Sequence, residues 1–159
     1  MVTGSVAASN YVPPRGTRDL DVVVELQPED ADRLCDLFEH DFYLDREAVR
    51  QALGRRSMFN LIHYELVVKV DFIVRGERDY DAQAFQRRRL IAVGDRKVSV
   101  ASPEDLILPK LLWARESRSE LQLRDVRDLA RGAANLDRGY LETWAARLGI
   151  SDLYRETCG

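Results

Sequence analysis

The chain has 159 residues and a net charge of −3 at pH 7, and its sequence pI is near 5.5. This length suits one domain with a helical appendage, and the acidic balance argues against a general nucleic-acid binder. No apolar run is long enough to cross a bilayer and no signal peptide is evident, so we expect a cytoplasmic protein that does not enter the membrane. Two histidines and two widely separated cysteines argue against zinc chemistry and a Ser/His/Asp triad.

Two carboxylates stand at the head of the first long apolar segment. The first four predicted elements are the end of a strand, the start of a helix, a loop and a strand, over residues 1–5, 6–10, 11–18 and 20–26. Asp19 and Asp21 are one residue apart, so in an extended strand both point to one side, opposite to Leu20 and Val22. Like charges this close raise each other's pKa, and a divalent cation relieves the repulsion. Hard oxygen ligands favour Mg²⁺ or Mn²⁺.

A third carboxylate, Asp71, lies within a later apolar strand. Helices are predicted to begin at Pro28 and after Asp45, followed by two strands over residues 58–64 and 67–74 that form a hairpin. Lys69 and Asp71 fall on the face opposite to the valines and phenylalanine of the second strand. Asp is depleted in strand interiors, so its presence there is costly. If this strand neighbours the strand at 20–26, Asp71 joins the other two carboxylates in a site suited to two metal ions about 4 Å apart.

Each of these residues also has a structural interpretation. Asp19 would close the turn that precedes its strand, and Asp21 would be an ordinary solvent-facing residue. Asp71 would form a salt bridge with Lys69 or with an arginine. Gly4-Ser5, taken alone, is typical of a plain turn.

The C-terminal third is predicted to be helical. A hairpin at 91–93 and 98–100 is followed by a helix start at Ser102 and a capping box that opens at Ser119. Helices are expected over 103–114, 120–134 and 138–148, with a last short one opened by Ser151. Pro109 should kink or break the first of them. Lys110 interrupts its buried face and either reaches water, pairs with Asp125 or Asp128, or binds a ligand.

The spacing of these motifs resembles the nucleotidyltransferase superfamily of the DNA polymerase beta type. The resemblance rests on Thr3-Gly4-Ser5, a thirteen-residue gap, Asp19-Leu20-Asp21, and the later strand aspartate Asp71. The segments Ser102–Leu111 and Gln122–Asp128 resemble the tail of its small bacterial members, which include minimal nucleotidyltransferases and toxin components of toxin–antitoxin pairs. The resemblance implies an α+β fold with a mixed β-sheet and flanking helices over residues 1–101, followed by a C-terminal helical segment over 102–159 packed on that core.

The resemblance also implies a reaction and roles for individual residues. The α-phosphate of a nucleoside triphosphate such as ATP would be attacked by a hydroxyl acceptor, a tRNA end, a protein or a small molecule, with release of pyrophosphate. Asp19, Asp21 and Asp71 would be catalytic and would bind Mg²⁺ or Mn²⁺. The backbone at Gly4 would approach a phosphate closely, at the start of a helix whose N–H groups point to it. The nucleotide-binding residues would be Gly4, Ser5, Arg15, Thr17, Arg18, Lys69 and Lys110.

One feature leaves a second interpretation open. Superfamily members usually carry a helix before the first strand, whereas Met1 lies three residues before Gly4. Either the first strand is short and uncovered or the chain begins late, and an uncovered sheet face favours a homodimer or a protein partner. The alternative is therefore a non-catalytic relative that acts in nucleotide sensing or protein binding.

Overall fold

The computed structural model describes residues 1–14 and 16–159, so the predicted nucleotide-binding residue Arg15 lies outside the described residues. The strands are β1 (Val2–Thr3), β2 (Asp19–Val24), β3 (Phe42–Tyr43), β4 (Met58–His63), β5 (Lys69–Val74), β6 (Arg89–Val93) and β7 (Arg96–Val100). The helices are α1 (Gly4–Ala8), α2 (Ala31–Phe38), α3 (Arg46–Arg55), α4 (Asp79–Gln86), α5 (Pro103–Ser117), α6 (Glu120–Gly132), α7 (Arg138–Arg147) and α8 (Ser151–Cys158). A short 3-10 turn at Pro28–Asp30 precedes α2.

The strands form one mixed sheet in the order β3-β4-β5-β2-β1-β7-β6. β2 and β5 are parallel neighbours at its centre. β1 runs antiparallel to β2 and parallel to β7. The two predicted hairpins, β4–β5 and β6–β7, are confirmed as antiparallel pairs. The α+β class with a mixed sheet and a helical C-terminal segment is therefore confirmed.

The two faces of the sheet contact different apolar clusters. On one face, alternate residues of β2, β4 and β5 pack on α2 and α3, with Phe72 stacked on Phe59 at 5.2 Å between ring centroids. The second cluster joins α1, α4 and the end of β7 to the C-terminal helices, around Leu111 and Trp144. This cluster combines residues from both sides of position 101, and the division into two units at that position stays a prediction. Within the described residues, no helix is both long enough and apolar enough to cross a membrane.

The helix starts follow the capping residues that the sequence provides. Asp45 Oδ1 accepts hydrogen bonds from the backbone N–H groups of Glu47 and Ala48, at 2.9 and 3.1 Å. Ser102 Oγ accepts from the N–H of Asp105 at 3.1 Å. These bonds satisfy N–H groups that a helix leaves unpaired in its first turn, which confirms both predicted starts.

Several local expectations were wrong. α4 and the two-residue strand β3 were not predicted, because their apolar residues show no sustained period. β5 begins at Lys69 rather than at residue 67, since Val67 adopts a left-handed conformation with φ of 50°. α5 continues through Pro109, so the expected break is wrong, while the kink stays a prediction. The buried residues on both sides of Pro109 hold the helix together despite the missing N–H.

Candidate active site

The parallel register of β2 and β5 brings two of the predicted carboxylates side by side. Asp21 lies directly opposite Asp71, and Asp19 lies directly opposite Lys69. The residues that follow, Val22 and Phe72, turn toward the cluster under α2 and α3, so the two aspartates lie on the other face. The two strands are therefore neighbours, as the predicted grouping of the carboxylates requires.

Lys69 is the cation of this acidic group. Its ammonium lies 2.8 Å from Asp71 Oδ2. The hydrogen bond to Asp71 raises the pKa of Lys69, and the charges of Asp71, Asp19 and Asp21 raise it further. The salt bridge that the structural interpretation of Asp71 required is therefore present. It engages only one carboxylate oxygen, because Asp71 Oδ1 is buried and has no hydrogen-bond partner among the described residues.

Asp21 is held in an environment that disfavours its charge. Burial raises the pKa of Asp21, and the neighbouring charges of Asp71 and Asp19 raise it further. The ammonium groups of Lys69 and Lys110 act in the opposite direction and do not compensate fully. The positive charge of the two lysines therefore does not fully offset the negative charge where Asp21 lies beside Asp71.

Gly4 contacts Asp21 more closely than any other amino acid could at that position. Thr3 pairs with Asp21 across the β1–β2 ladder, and Gly4 follows with φ of +64°. A Cβ added to Gly4 would lie 1.9 Å from Asp21 Oδ2, far inside any van der Waals distance. The glycine thus permits both the left-handed turn from β1 into α1 and the approach of the backbone to the carboxylate.

The donor chemistry of this site fits a Mg²⁺ or Mn²⁺ ion. Asp21 and Asp71 supply charged oxygens, one of them unpaired. Within residues 1–14 and 16–159, however, no three histidine, cysteine, aspartate or glutamate side chains converge in a metal-holding arrangement. Mg²⁺ is commonly held by one or two carboxylates together with substrate phosphates and water, and the donor types of this pair are compatible with that.

Comparison with known proteins bears on the fold. No protein-family model and no curated protein matches the chain. Among solved structures, it is similar to an antigenic nucleotidyltransferase-like protein from Paracoccidioides brasiliensis, with 18% sequence identity and a TM-score of 0.56 over 99% of this chain and 82% of that chain. The fold is nucleotidyltransferase-like. At this identity the similarity establishes the arrangement of elements and not an activity.

Lys110 lies on α5, in the part of this nucleotidyltransferase-like fold that covers the acidic face. Its ammonium donates to Asp125 Oδ2 at 2.7 Å and to Gln122 Oε1 at 3.1 Å. Of the alternatives left open by the sequence, pairing with Asp125 is the one observed. A role in nucleotide binding stays a prediction, since the side chain also lines the cleft beside Asp21.

The remaining predicted residues lie in the loop before β2. Thr17 Oγ1 accepts a hydrogen bond from the backbone N–H of Asp19 at 3.3 Å, which orients the start of the strand. Arg18 is exposed. Neither side chain is among the residues that line the cleft.

A cleft of about 720 Å³ extends from Asp21 across the sheet face, between α4 and α5; Asp71, which is buried beside Asp21, is not among its lining residues. Three arginines that the sequence reading did not single out, Arg56, Arg75 and Arg78, line it. Arg75 was detectable, because the period-2 alternation that places Asp71 on this face also places residue 75 there. Each guanidinium is paired with an acid: Arg56 with Glu77, Arg75 with Glu25 and Arg78 with Asp81.

A buried polar network beside the cleft was also missed. Glu104 is fully buried and pairs with Arg87 at 3.2 Å. The same guanidinium lies over the ring of Tyr140, whose hydroxyl donates to Asp105 at 2.8 Å. Arg87 belongs to a run of three arginines that reads as a solvated patch, and only the fold reveals its buried partners.

Proposed function

We propose that this protein is a metal-dependent nucleotidyltransferase that moves a nucleoside monophosphate from a nucleoside triphosphate to a hydroxyl acceptor. One observation carries the proposal: Asp21, which lines the cleft, is the direct register neighbour of Asp71, and Asp71 keeps a buried, unpaired oxygen. A buried carboxylate oxygen without a partner is costly, and a ligand that supplies positive charge or a proton would remove that cost.

Asp21 and Asp71 would hold Mg²⁺, with Asp19 as the next carboxylate on the same face. When bound, the ion would supply positive charge to the phosphate oxygens of the substrate. Lys69 fixes the orientation of Asp71 by its hydrogen bond to Oδ2, which leaves Oδ1 for the ligand. In this proposal Asp71 also orients the acceptor hydroxyl and receives its proton.

The phosphates would lie along Gly4 and Ser5, where the backbone can come close to a ligand because Gly4 has no side chain. α1 is only five residues long, so we assign this role to close approach rather than to a helix dipole. Lys110, beside the same end of the cleft, would offset the phosphate charge. A bond forms between the acceptor oxygen and the α-phosphorus, and the bond from that phosphorus to the bridging oxygen breaks, so that pyrophosphate leaves with the electron pair.

A second candidate is a non-catalytic protein that senses nucleotides or binds another protein. The ion pair between Lys69 and Asp71 favours this non-catalytic candidate, because the pair engages the carboxylate that the reaction needs. For the catalytic candidate, the acceptor would be a tRNA end, a protein hydroxyl or a small alcohol, and a toxin–antitoxin pair is one setting in which such an enzyme would act.

The decisive experiment compares wild type with Asp71→Asn and with Asp152→Asn, a control on α8 whose side chain is exposed and pairs with Arg155. Mn²⁺ binding by electron paramagnetic resonance, thermal melts with each nucleoside triphosphate and Mg²⁺, and pyrophosphate release with an acceptor panel are measured. We expect wild type and Asp152→Asn to bind and to release pyrophosphate. A nucleotide at a hundredfold excess over its dissociation constant stabilises the native state by about 2.7 kcal/mol.

Asp71→Asn should keep its fold and lose Mn²⁺ binding and turnover. Binding by wild type without pyrophosphate release from any acceptor would support the sensing candidate instead. If wild type binds neither Mn²⁺ nor any nucleotide, the catalytic candidate and nucleotide sensing are both wrong, and protein binding is what remains of the second candidate.

A further inference from the structure

An exposed tryptophan lies in the wall of the cleft. Trp113 is 65% exposed, although tryptophan is among the residues that proteins bury most on average. On α5, Trp113 lies three residues after Lys110 and four after Pro109. Pro109 is also exposed, whereas Leu111, which lies on another side of the helix, is fully buried. The cleft-lining positions 106, 109, 110 and 113 follow the helical period, so they form one stripe along α5.

The tryptophan and the proposed phosphate site belong to the same cleft. Trp113 and Lys110 line it with Gly4, Ser5 and Asp21. A volume of about 720 Å³ is within the range of about 300–1,000 Å³ that is usual for small-molecule sites. The three-residue step from Lys110 to Trp113 corresponds to a rise of about 4.5 Å along the helix, so a ligand with phosphates near Lys110 extends past Trp113.

The ligand that fits this arrangement carries a charged tail and a flat apolar ring. We propose that Trp113 stacks on the base of the nucleoside triphosphate and determines how tightly the nucleoside part is held. This inference rests on the proposed function, because it places the phosphates at the acidic end of the cleft. Stacking of a base on an aromatic side chain is tolerant of base identity, so Trp113 would contribute affinity for all four bases.

The test uses two probes that differ only by the nucleoside. ATP carries the base, and inorganic tripolyphosphate carries the phosphate chain alone; both are titrated in the presence of Mg²⁺ into wild type, Trp113→Ala, Trp113→Phe and Leu90→Ala. Leu90 on β6 is 67% exposed, close to the exposure of Trp113, but does not line the cleft, and it serves as the control. Binding is followed by calorimetry and by tryptophan emission, in which the buried Trp144 gives the background.

Trp113→Ala should raise the dissociation constant of ATP about 5- to 150-fold and leave that of tripolyphosphate unchanged. Trp113→Phe should keep most of the ATP affinity, because the aromatic face is retained, but should lose the ATP-dependent quenching of emission that we expect for wild type. Leu90→Ala should behave as wild type. If ATP and tripolyphosphate both bind Trp113→Ala as they bind wild type, the stacking role is wrong and the proposed function survives. If wild type binds neither probe, both inferences are wrong.

Discussion

Substitution of Gly4 by alanine tests the close contact between the β1–α1 turn and Asp21. The new Cβ would be 1.9 Å from Asp21 Oδ2 and 2.8 Å from Asp21 Cγ, so the carboxylate must move. The residue must also keep a φ of +64°, which alanine rarely adopts. Gly4→Ala therefore combines a backbone cost with a steric cost, and the structure allows the two to be measured separately.

The backbone cost is that of one non-glycine residue in the left-handed region, about 1–2 kcal/mol. Forcing an extra methyl group into an occupied space adds about 1–3 kcal/mol. We therefore expect Gly4→Ala to lower the free energy of unfolding by about 2–5 kcal/mol. A loss of that size is a large share of the total free energy of unfolding of a domain.

Gly94 provides the matched control. It has a similar φ of +60° in the β6–β7 turn, and an added Cβ would meet nothing within 4 Å. Gly94→Ala should thus cost only the backbone term. In chemical denaturation, the difference between the two variants measures the contact with Asp21.

A double-mutant cycle with Asp21→Ala isolates the same term. The truncated side chain removes Oδ2 and Cγ, so most of the steric part of the Gly4→Ala cost should vanish in that background, and the coupling energy should be about 1–3 kcal/mol. A Gly4→Ala variant no less stable than Gly94→Ala, or a coupling energy near zero, would contradict the geometry from which the argument starts.

Two further predictions concern charge. Asp125→Asn should destabilise the fold by about 3 kcal/mol in denaturant titrations, since it removes the charged partner of the buried Lys110 ammonium and leaves it only neutral amide oxygens. Asp152→Asn, which affects a surface pair, should cost less than about 1 kcal/mol, and equal costs would refute the distinction. Asp21→Asn should raise the free energy of unfolding at pH 7 by about 0.2–1 kcal/mol, and with it the melting temperature. The reason is that burial and like charges raise the pKa of Asp21, which makes its ionised form unfavourable in the native state. Because of this raised pKa, the native state binds the proton more tightly than the unfolded chain. The stability gained by the substitution should therefore shrink as the pH falls through the raised pKa toward about 3.9, and it should disappear below that value. A gain in stability that grows on acidification would show that the sign of the pKa shift is wrong.

The centre of the sheet could be predicted because its signals are local. The alternation of apolar residues around Asp21 and Asp71 defines two strands with one buried face each. A hairpin signal pairs β4 with β5, and the capping residues Asp45 and Ser102 mark helix starts. The sequence did not predict that β2 and β5 are neighbours, and the grouping of Asp71 with Asp21 depended on it. Parallel pairing requires a crossover connection that the periodicity of the sequence does not specify.

The contacts that depend on long-range packing could not be predicted. Arg87 appears in a run of arginines, and its partner Glu104 follows seventeen residues later at a helix start, where acids are common without being buried. Trp113 falls within the helix predicted over residues 103–114, where its apolar neighbours indicate burial. Only the position of α5 over the sheet face reveals that the stripe containing Pro109 and Trp113 faces the cleft.

The position of the two aspartates argues for function over architecture. One period further along the same face of β2 and β5, the paired positions are Val23 and Ile73, which shows that this face accepts apolar residues. At the preceding pair, the protein instead carries two like charges, an unpaired carboxylate oxygen and a left-handed glycine held against Asp21. The like charges and the unpaired oxygen cost stability, and they meet the glycine that the close approach requires at a single register step. The fold does not need them there, whereas a site that binds a cation and a phosphate does.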